Sequence, residues 1–180
     1  MIKSLSIRNI AFAGVVAALY VALTFAGAPI AYGPLQFRIA EVLCILPFFF
    51  PVTVPGLFVG CVIANLLSPY GMLDVVVGST ASLLAALCTM QIGKFGRERL
   101  SAKIFACLPP VLFNAVFIGA LIAWFTVGFS DFRAFMTSFA ISGLQVGFGQ
   151  LVVLYVLGLP LMINLPKSRV YDKLVEVIGS

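Results

Sequence analysis

The chain has 180 residues, of which 62% are hydrophobic and 9% charged, and its formal net charge is +5. Water-soluble domains carry about 25% charged residues, so this composition excludes a soluble protein and predicts an integral membrane protein. A spanning helix takes about 20 residues, which leaves room for six spans in one domain of residues 1–180. Because the chain contains no histidine, histidine-based zinc sites and catalytic triads are excluded, and we expect neither a metal nor a cofactor.

The first predicted helix covers about residues 8–26. Its small residues fall into two stripes at four-residue spacing: Ala13 and Ala17, and beside them Gly14, Ala18 and Ala22. Small residues at this spacing let two helix backbones approach closely in lipid. The pattern is typical either of a contact within the bundle or of a docking face for another membrane subunit, and the residues alone favour the contact within the bundle.

The second predicted helix covers about residues 35–50, with Pro34 at its start and Gln36, Arg38 and Glu41 in its first two turns. A charge at the centre of a membrane helix costs about 2.5–3.5 kcal/mol, so such charges usually face protein or a cavity. Arg38 and Glu41 stand three residues apart, a spacing at which they could simply neutralise each other. We favour a role in binding because ionisable groups within a membrane usually serve function.

Four further helices are predicted, at about residues 54–67, 73–92, 104–127 and 138–163. The candidate polar or aromatic side chains on these helices and the turn before the fourth are Asn65, Tyr70, Asp74, Asn114, Trp124 and Gln145. Asp74 opens the fourth helix, where an acidic residue could instead cap the helix or complement its dipole. Trp124 could instead be an anchor at the membrane interface.

The basic residues are distributed asymmetrically along the six predicted spans. All of them except Arg38 and Arg133 fall on one side, at the start of the chain, in residues 94–103 and at the end of the chain. The positive-inside rule places that side in the cytoplasm, so both termini are predicted to be cytoplasmic. Since these residues are dispersed and explained in this way, we expect no nucleic-acid partner.

The polar side chains of the second to fourth helices cluster in the outer half of the predicted bundle. Apart from Asn114 and the glutamines of the sixth helix, no polar set crosses the midplane, which favours a pocket open to the outside over a pore. Amide and carboxylate groups suit a planar heterocycle with amide-like edges, and Phe37, Tyr70 or Trp124 could stack on it. The sequence carries no Walker motif, so uptake against a gradient would require an ion or a partner.

Three segments resemble the QueT family: residues 35–43 (LQFRIAEVL), 55–65 (PGLFVGCVIAN) and 73–80 (LDVVVGST). Members of this family are substrate-binding S components of energy-coupling factor (ECF) transporters, associated with uptake of queuosine precursors. The resemblance implies a multi-pass protein of the bacterial cell membrane that binds a 7-deazaguanine derivative or queuine near the extracellular face. It also implies a transmembrane coupling subunit and two cytoplasmic ATPases as partners, and no catalysis by this chain.

The resemblance assigns ligand-binding positions to the residues that lie in the matching segments: Gln36, Arg38, Glu41, Asn65 and Asp74. It assigns Ala13 and Ala17 to the face that meets the coupling subunit, with the parallel stripe from Gly14 as the other register. The other candidates are assigned to the site from the chemistry of their side chains alone: Tyr70, Asn114, Trp124 and Gln145. The alternatives are an S component for another vitamin-like compound, and a structural or assembly protein of the membrane. An intramembrane enzyme is disfavoured because there is no histidine.

Overall fold

The structure is a computed structural model that describes residues 6–33 and 35–179. That part of the chain is all-helical, with 85% helix and no strand. Four runs are long and apolar enough to cross a membrane: Ile7–Ala26, Gly71–Gly96, Leu100–Val127 and Phe132–Lys167. Ile39–Phe49 and Thr53–Asn65 are apolar but shorter. The predicted all-helical, multi-pass membrane class is confirmed, whereas the count of six spans and the location of the termini stay predictions.

The elements follow one another in this order: α1 (Ile7–Ala26), α2 (Ala28–Ala31), a 3₁₀ helix (Ile39–Ile45), α3 (Leu46–Phe49), α4 (Thr53–Asn65), α5 (Gly71–Gly96), α6 (Leu100–Ala106), α7 (Leu108–Val127), α8 (Phe132–Val152), a π-helix (Val153–Gly158), α9 (Leu159–Asn164), a second 3₁₀ helix (Leu165–Lys167) and α10 (Arg169–Gly179). The first, third and fourth predicted helices correspond to α1, α4 and α5. The fifth corresponds to α6 and α7, which meet at Cys107.

The second predicted helix is wrong as an α-helix. Gln36 has a positive φ of 45°, Arg38 is extended, and the chain then forms a 3₁₀ helix before α3 begins at Leu46. Pro47 provides the physical reason, because a proline inside an α-helix loses one hydrogen bond and clashes with the preceding turn, whereas the first turn of a helix tolerates it. Pro47 lies in the first turn of α3. Pro34 lies outside the described residues.

The sixth predicted helix begins at Phe132 rather than near residue 138, because Asp131 caps it. The Asp131 carboxylate accepts hydrogen bonds from the backbone N–H groups of Arg133 at 2.9 Å and Ala134 at 3.2 Å. This arrangement satisfies two donors that the first turn of a helix leaves free. Toward its other end the run widens into the π-helix just before Pro160, which has no N–H to donate.

Helices α1 and α4 pack backbone against backbone. A Cβ added at Gly60 would lie 3.0 Å from the carbonyl oxygen of Ala17, and one added at Gly56 would collide with the backbone of Ala13. Ala13 and Ala17 are consequently 9% and 8% exposed. This pair therefore makes a contact within the bundle, and α4 covers it.

The second stripe of small residues on α1 remains on the surface. Gly14, Ala18 and Ala22 are exposed, and a Cβ added at Gly14 would meet nothing within 4 Å. The two stripes, indistinguishable by spacing in the sequence, therefore face different surroundings.

The bundle has two chemically different ends, which we name after one residue each. At the Tyr70 end, the Tyr70 ring packs on Phe125 with centroids 5.3 Å apart. At the Arg97 end, Arg97 Nη2 donates to the carbonyl of Phe49 at 3.0 Å, and α10 packs Tyr171 against Phe49 with ring centroids 5.7 Å apart. Among the described residues, every Lys and Arg except Arg38 and Arg133 falls in the first turn of α1, in residues 94–103 or in residues 167–173, and these segments belong to the Arg97 end.

Replacing Gly56 with alanine is expected to destabilise the bundle, because the new methyl group meets the backbone of Ala13. Overpacking of this kind costs about 1–3 kcal/mol, against a gain of about 1 kcal/mol in helix propensity from Gly to Ala. Gly14→Ala is the matched control, since it gains the same propensity with no clash. Thermal unfolding of the purified protein in detergent should give a lower Tm for Gly56→Ala than for Gly14→Ala, and equal values would contradict the assigned packing.

Candidate ligand-binding site

A buried guanidinium joins four parts of the chain near the Tyr70 end. Arg38 is 3% exposed, and its Nη1 donates to Asn65 Oδ1 at 2.9 Å. Its Nη2 lies 3.5 Å from Asp74 Oδ2, its Nε lies 3.4 Å from the carbonyl oxygen of Ala31, and its carbon Cζ lies 5.1 Å from the centroid of the Tyr32 ring. Arg38 thereby ties its own extended segment to α2, α4 and α5.

Glu41 is held by different partners from those of Arg38. Its carboxylate accepts a hydrogen bond from the Tyr20 hydroxyl at 2.6 Å and lies 3.0 Å from the Cys44 thiol. The 3₁₀ helix places Cys44 three residues after Glu41, one turn along. The suggestion that Arg38 and Glu41 neutralise each other is wrong for this structure, because the ion pair of Arg38 is with Asp74.

Asn65 and Asp74 connect α4 to α5 at a point where the two helices come close. Asn65 Nδ2 donates to the backbone carbonyl of Asp74 at 3.1 Å and lies 3.4 Å from Cys61 Sγ. Cys61 Sγ is also 3.2 Å from Ser82 Oγ. A Cβ at Gly78 would lie 2.6 Å from Asn65 Nδ2 and 2.7 Å from Asp74 Oδ1. The site therefore needs a residue without a side chain at position 78.

Several buried polar atoms of this cluster, and of α5, α7 and α8, have no hydrogen-bond partner among the described residues. They are Arg38 Nη2, both carboxylate oxygens of Asp74, Ser79 Oγ, Asn114 Nδ2 and Gln150 Oε1. Leaving a buried donor or acceptor unsatisfied costs about 1–3 kcal/mol, and native proteins keep such groups few. These atoms are the ones that the donors and acceptors of a bound ligand could satisfy.

Gln36 and Tyr70, two of the predicted site residues, lie beside this cluster. Gln36 is buried on the extended segment that leads to Arg38. Tyr70 is half-buried at the turn before α5, and burial, with a further contribution from the charge of Asp74, raises the pKa of its phenol. Asp74 itself does not cap α5, so the alternative in which it serves as a cap is not what the structure shows.

The remaining predicted residues do not share one position. Asn114 is buried on α7. Gln145 on α8 lines two cavities, of about 720 Å³ and about 440 Å³, and neither cavity is lined by Arg38 or Glu41. Trp124 is 51% exposed, packs on Phe129 with centroids 6.1 Å apart and lines an apolar cavity of about 550 Å³. These surroundings match an interfacial anchor.

Sequence reasoning missed five residues of the cluster: Tyr20, Tyr32, Cys44, Cys61 and Gly78. Tyr20 offered a usable signal, because a tyrosine deep in an apolar helix must find a partner for its hydroxyl. The segment 73–80 contains Gly78 but gives no hint that its missing side chain makes room for Asn65. Tyr32 joins the cluster through the tertiary contact of its ring with Arg38, and Cys61 joins it through contacts with Tyr20, Asn65 and Ser82.

Comparison with known proteins gives a family and one relative. A model of the QueT transporter family matches residues 10–167. The curated Queuosine precursor transporter QueT of Lactococcus lactis subsp. cremoris (strain MG1363) is 42% identical over 72 residues, which are 39% of this chain and 42% of that protein. The aligned part is thus less than half of either protein. No solved structure matches the chain.

Removing the Tyr20 hydroxyl is expected to weaken the site. Tyr20→Phe leaves Glu41 buried with one donor fewer, and loss of a hydrogen bond to a charged group costs about 1.5–3 kcal/mol. The matched control is Tyr155→Phe, which removes a hydroxyl that donates to the backbone carbonyl of Ile104 at 3.0 Å at the opposite end of the bundle. Thermal unfolding should show the larger loss for Tyr20→Phe. A larger loss for the control would contradict the contact with Glu41.

Proposed function

The chain belongs to the QueT transporter family, and on that premise we propose that it is the S component of an ECF-type importer that binds a queuosine precursor. The ligand class is a 7-deazaguanine derivative or queuine. The observation that carries the proposal is the buried cluster of Arg38, Glu41, Asn65 and Asp74 at the Tyr70 end. Supporting it is the name of the Lactococcus relative, a queuosine precursor transporter.

The chemistry of the cluster suits a guanine-like ring. Such a ring presents N–H donors along one edge, and a carboxylate accepts them well. Glu41 is the carboxylate that we assign to this edge, while Asn65 and Gln36 can each donate and accept. The ring of Tyr32, which lies against the Arg38 guanidinium, is the aromatic group available for stacking, whereas the Phe37 ring packs on Phe148 of α8.

We assign the Tyr70 end to the outside of the cell, and access to the site requires a movement there. The basic residues at the Arg97 end support this orientation through the positive-inside rule. Arg38, Glu41 and Asp74 are each buried, so a ligand arriving from outside must displace part of the chain. Residues 35–38 are the candidate for this movement, because Gly149 of α8 lies directly against the carbonyl of Leu35.

Energy for uptake is assigned to partners, a transmembrane coupling subunit and two ATPases, because the sequence carries no Walker motif. Of the two stripes on α1, we assign the docking face to Gly14, Ala18 and Ala22. They are exposed, whereas α4 covers Ala13 and Ala17. Exposed small residues allow a second helix to approach closely without displacing any part of this chain.

Binding of 7-deazaguanine derivatives and queuine to the purified protein tests the ligand class. Glu41→Gln is expected to lower the affinity about tenfold or more, since a hydrogen bond to a charged group contributes about 1.5–3 kcal/mol and 1.4 kcal/mol is a factor of ten. Asp172→Asn, which removes an exposed carboxylate on α10, is the control and should bind normally. Isothermal calorimetry gives both affinities.

The same binding experiment includes three control ligands: riboflavin, thiamine and biotin. Binding of one of them in place of the 7-deazaguanines would establish an S component for another vitamin-like compound. If Glu41→Gln kept full affinity while losing thermal stability, the buried cluster would be structural and the assignment of Glu41 would be wrong.

Bulk added to the exposed stripe should block transport and spare binding. Ala18→Trp is expected to abolish uptake of the ligand by cells that contain the complete importer, because the indole separates the two helices. Binding to the isolated variant should stay normal. Leu144→Trp, at a position 76% exposed on α8, is the control for bulk on the lipid-facing surface and should transport normally. Uptake by Ala18→Trp at the normal rate would overturn the docking face.

A further inference from the structure

A small cavity lies at the Arg97 end of the bundle, where α5 ends and α6 begins. Its volume is about 370 Å³. The end of α5 contributes Gln91 and Phe95 to its wall, the turn contributes Arg99, and α6 contributes Ser101 and Phe105. These five side chains are exposed, so the cavity opens to the surroundings of the protein, and none of them belongs to the buried cluster around Arg38.

Two contacts between α5 and α6 hold the walls of this cavity in place. Thr89 Oγ1 donates a hydrogen bond to the carbonyl oxygen of Ala106 at 3.1 Å. Nearer the turn, a Cβ added at Gly96 would lie 2.7 Å from the Cβ of Ala102, so the two helices touch there. The cavity is therefore part of the folded bundle, and a ligand binds it without first having to order it.

Basic side chains accompany the cavity without acidic partners. Residues 94–103 contain four basic residues, Lys94, Arg97, Arg99 and Lys103, and one acidic residue, Glu98. None of the four basic side chains forms an ion pair within the described part of the chain. Arg99 lines the cavity itself. The cavity therefore has a cation in its wall and a net positive charge along the segment that forms it.

Large apolar side chains are exposed beside these charges. Phe95 is 87% exposed and Phe105 is 59% exposed. Leu112 and Val116, further along the run that begins at Leu100, are exposed as well. Apolar surface of this kind is unfavourable in contact with water, whereas the acyl chain of a lipid covers it.

The depth of the cavity in the membrane follows from the two runs that meet there. Gly71–Gly96 and Leu100–Val127 are each long and apolar enough to cross a membrane, so the residues between them lie where the chain turns back at the membrane surface. Phospholipid headgroups occupy this level, just outside the hydrocarbon. Lysine and arginine side chains near helix ends extend to the same level. Basic and apolar walls at this depth fit an amphiphilic anion.

We propose that this cavity binds an anionic phospholipid, whose phosphate pairs with Arg99 and accepts a hydrogen bond from the Ser101 hydroxyl. One acyl chain lies against Phe95 and Phe105. The planar guanidinium of arginine matches a phosphate group, to which it can donate two hydrogen bonds at once. The surplus of basic residues in this segment favours a headgroup with a net negative charge over a zwitterionic one. The site requires neither the solute nor the partner subunits of the proposed importer.

The cavity and the proposed docking face for the coupling subunit lie on different parts of the bundle. The exposed stripe of Gly14, Ala18 and Ala22 is on α1, whereas the cavity is formed by α5 and α6. Helix α4 packs against both α1 and α5. A lipid in the cavity and a helix on the stripe therefore occupy separate surfaces.

Fluorescence quenching by brominated lipids tests the proposal in a bilayer. The chain has a single tryptophan, Trp124, so the double variant Trp124→Phe and Phe95→Trp places the probe at the cavity. In phosphatidylcholine vesicles, brominated phosphatidylglycerol is expected to bind at this probe about fivefold more tightly than brominated phosphatidylcholine, the ratio that one cation near an anionic headgroup supplies. Arg99→Gln in the same background should bring the ratio close to one. Arg133→Gln, which removes an exposed arginine of α8, is the matched control and should leave the ratio unchanged.

Other occupants of the cavity give different results in the same experiment. Equal binding of the two brominated lipids when Arg99 is present overturns the proposal, and so does a preference that survives Arg99→Gln. The preference is expected to persist when inorganic phosphate replaces chloride at equal ionic strength, and its loss would assign the cavity to a soluble phosphate compound. Shielding of the probe from both lipids in the complete importer, but not in the isolated chain, would assign the cavity to a protein subunit.

A second measurement needs no tryptophan at the cavity and so excludes an effect of the new indole. Native mass spectrometry of the otherwise unchanged chain, released from detergent with equal amounts of both lipids, should show retained phosphatidylglycerol in preference to phosphatidylcholine. Arg99→Gln should lower the retained fraction about fivefold relative to Arg133→Gln. Equal retention by the two variants overturns the assignment of Arg99.

Discussion

The burial of the Arg38 guanidinium is the constraint on which the rest of the site depends. A charge can stay in the low-dielectric interior only when several groups pair with it, and Arg38 draws on Asn65, Asp74, Ala31 and Tyr32 for that purpose. These partners come from different helices, so one side chain fixes how α2, α4 and α5 meet. Removing it would leave Asp74 buried without its ion pair. These contacts therefore fix the position of the segment around Arg38.

Glycine residues provide the space that this network needs and allow the helix backbones to approach closely. Gly78 clears the space in which Asn65 and Asp74 meet. At other places glycines bring whole helices together, as where a Cβ at Gly119 of α7 would lie 2.7 Å from the Cα of Gly143 of α8. In lipid, packing rather than hydrophobicity drives such contacts. A comparable stripe of small residues on α1, formed by Gly14, Ala18 and Ala22, remains exposed.

The two ends of the bundle differ in the side chains that they bury. The Tyr70 end holds the buried polar cluster, in which Arg38 pairs with Asp74 and several polar atoms have no hydrogen-bond partner among the described residues. The Arg97 end holds the basic residues and an apolar core in which Phe48, Phe49 and Phe50 pack with α10. An aromatic core at one end and a buried polar cluster at the other agree with the proposed capture of a solute from one side of the membrane.

The sequence by itself determined the membrane class, the approximate positions of four helices and the residues Arg38, Asn65 and Asp74 that the structure brings together. Hydropathy and helix length carry that information locally. Only the tertiary structure decided which carboxylate pairs with Arg38 and that Tyr20 binds Glu41. It also decided which of the two stripes on α1 is covered by α4. Spacing along the chain leaves partners on other helices undetermined, and Pro47 together with the buried network replaced the expected α-helix with an extended segment and a 3₁₀ turn.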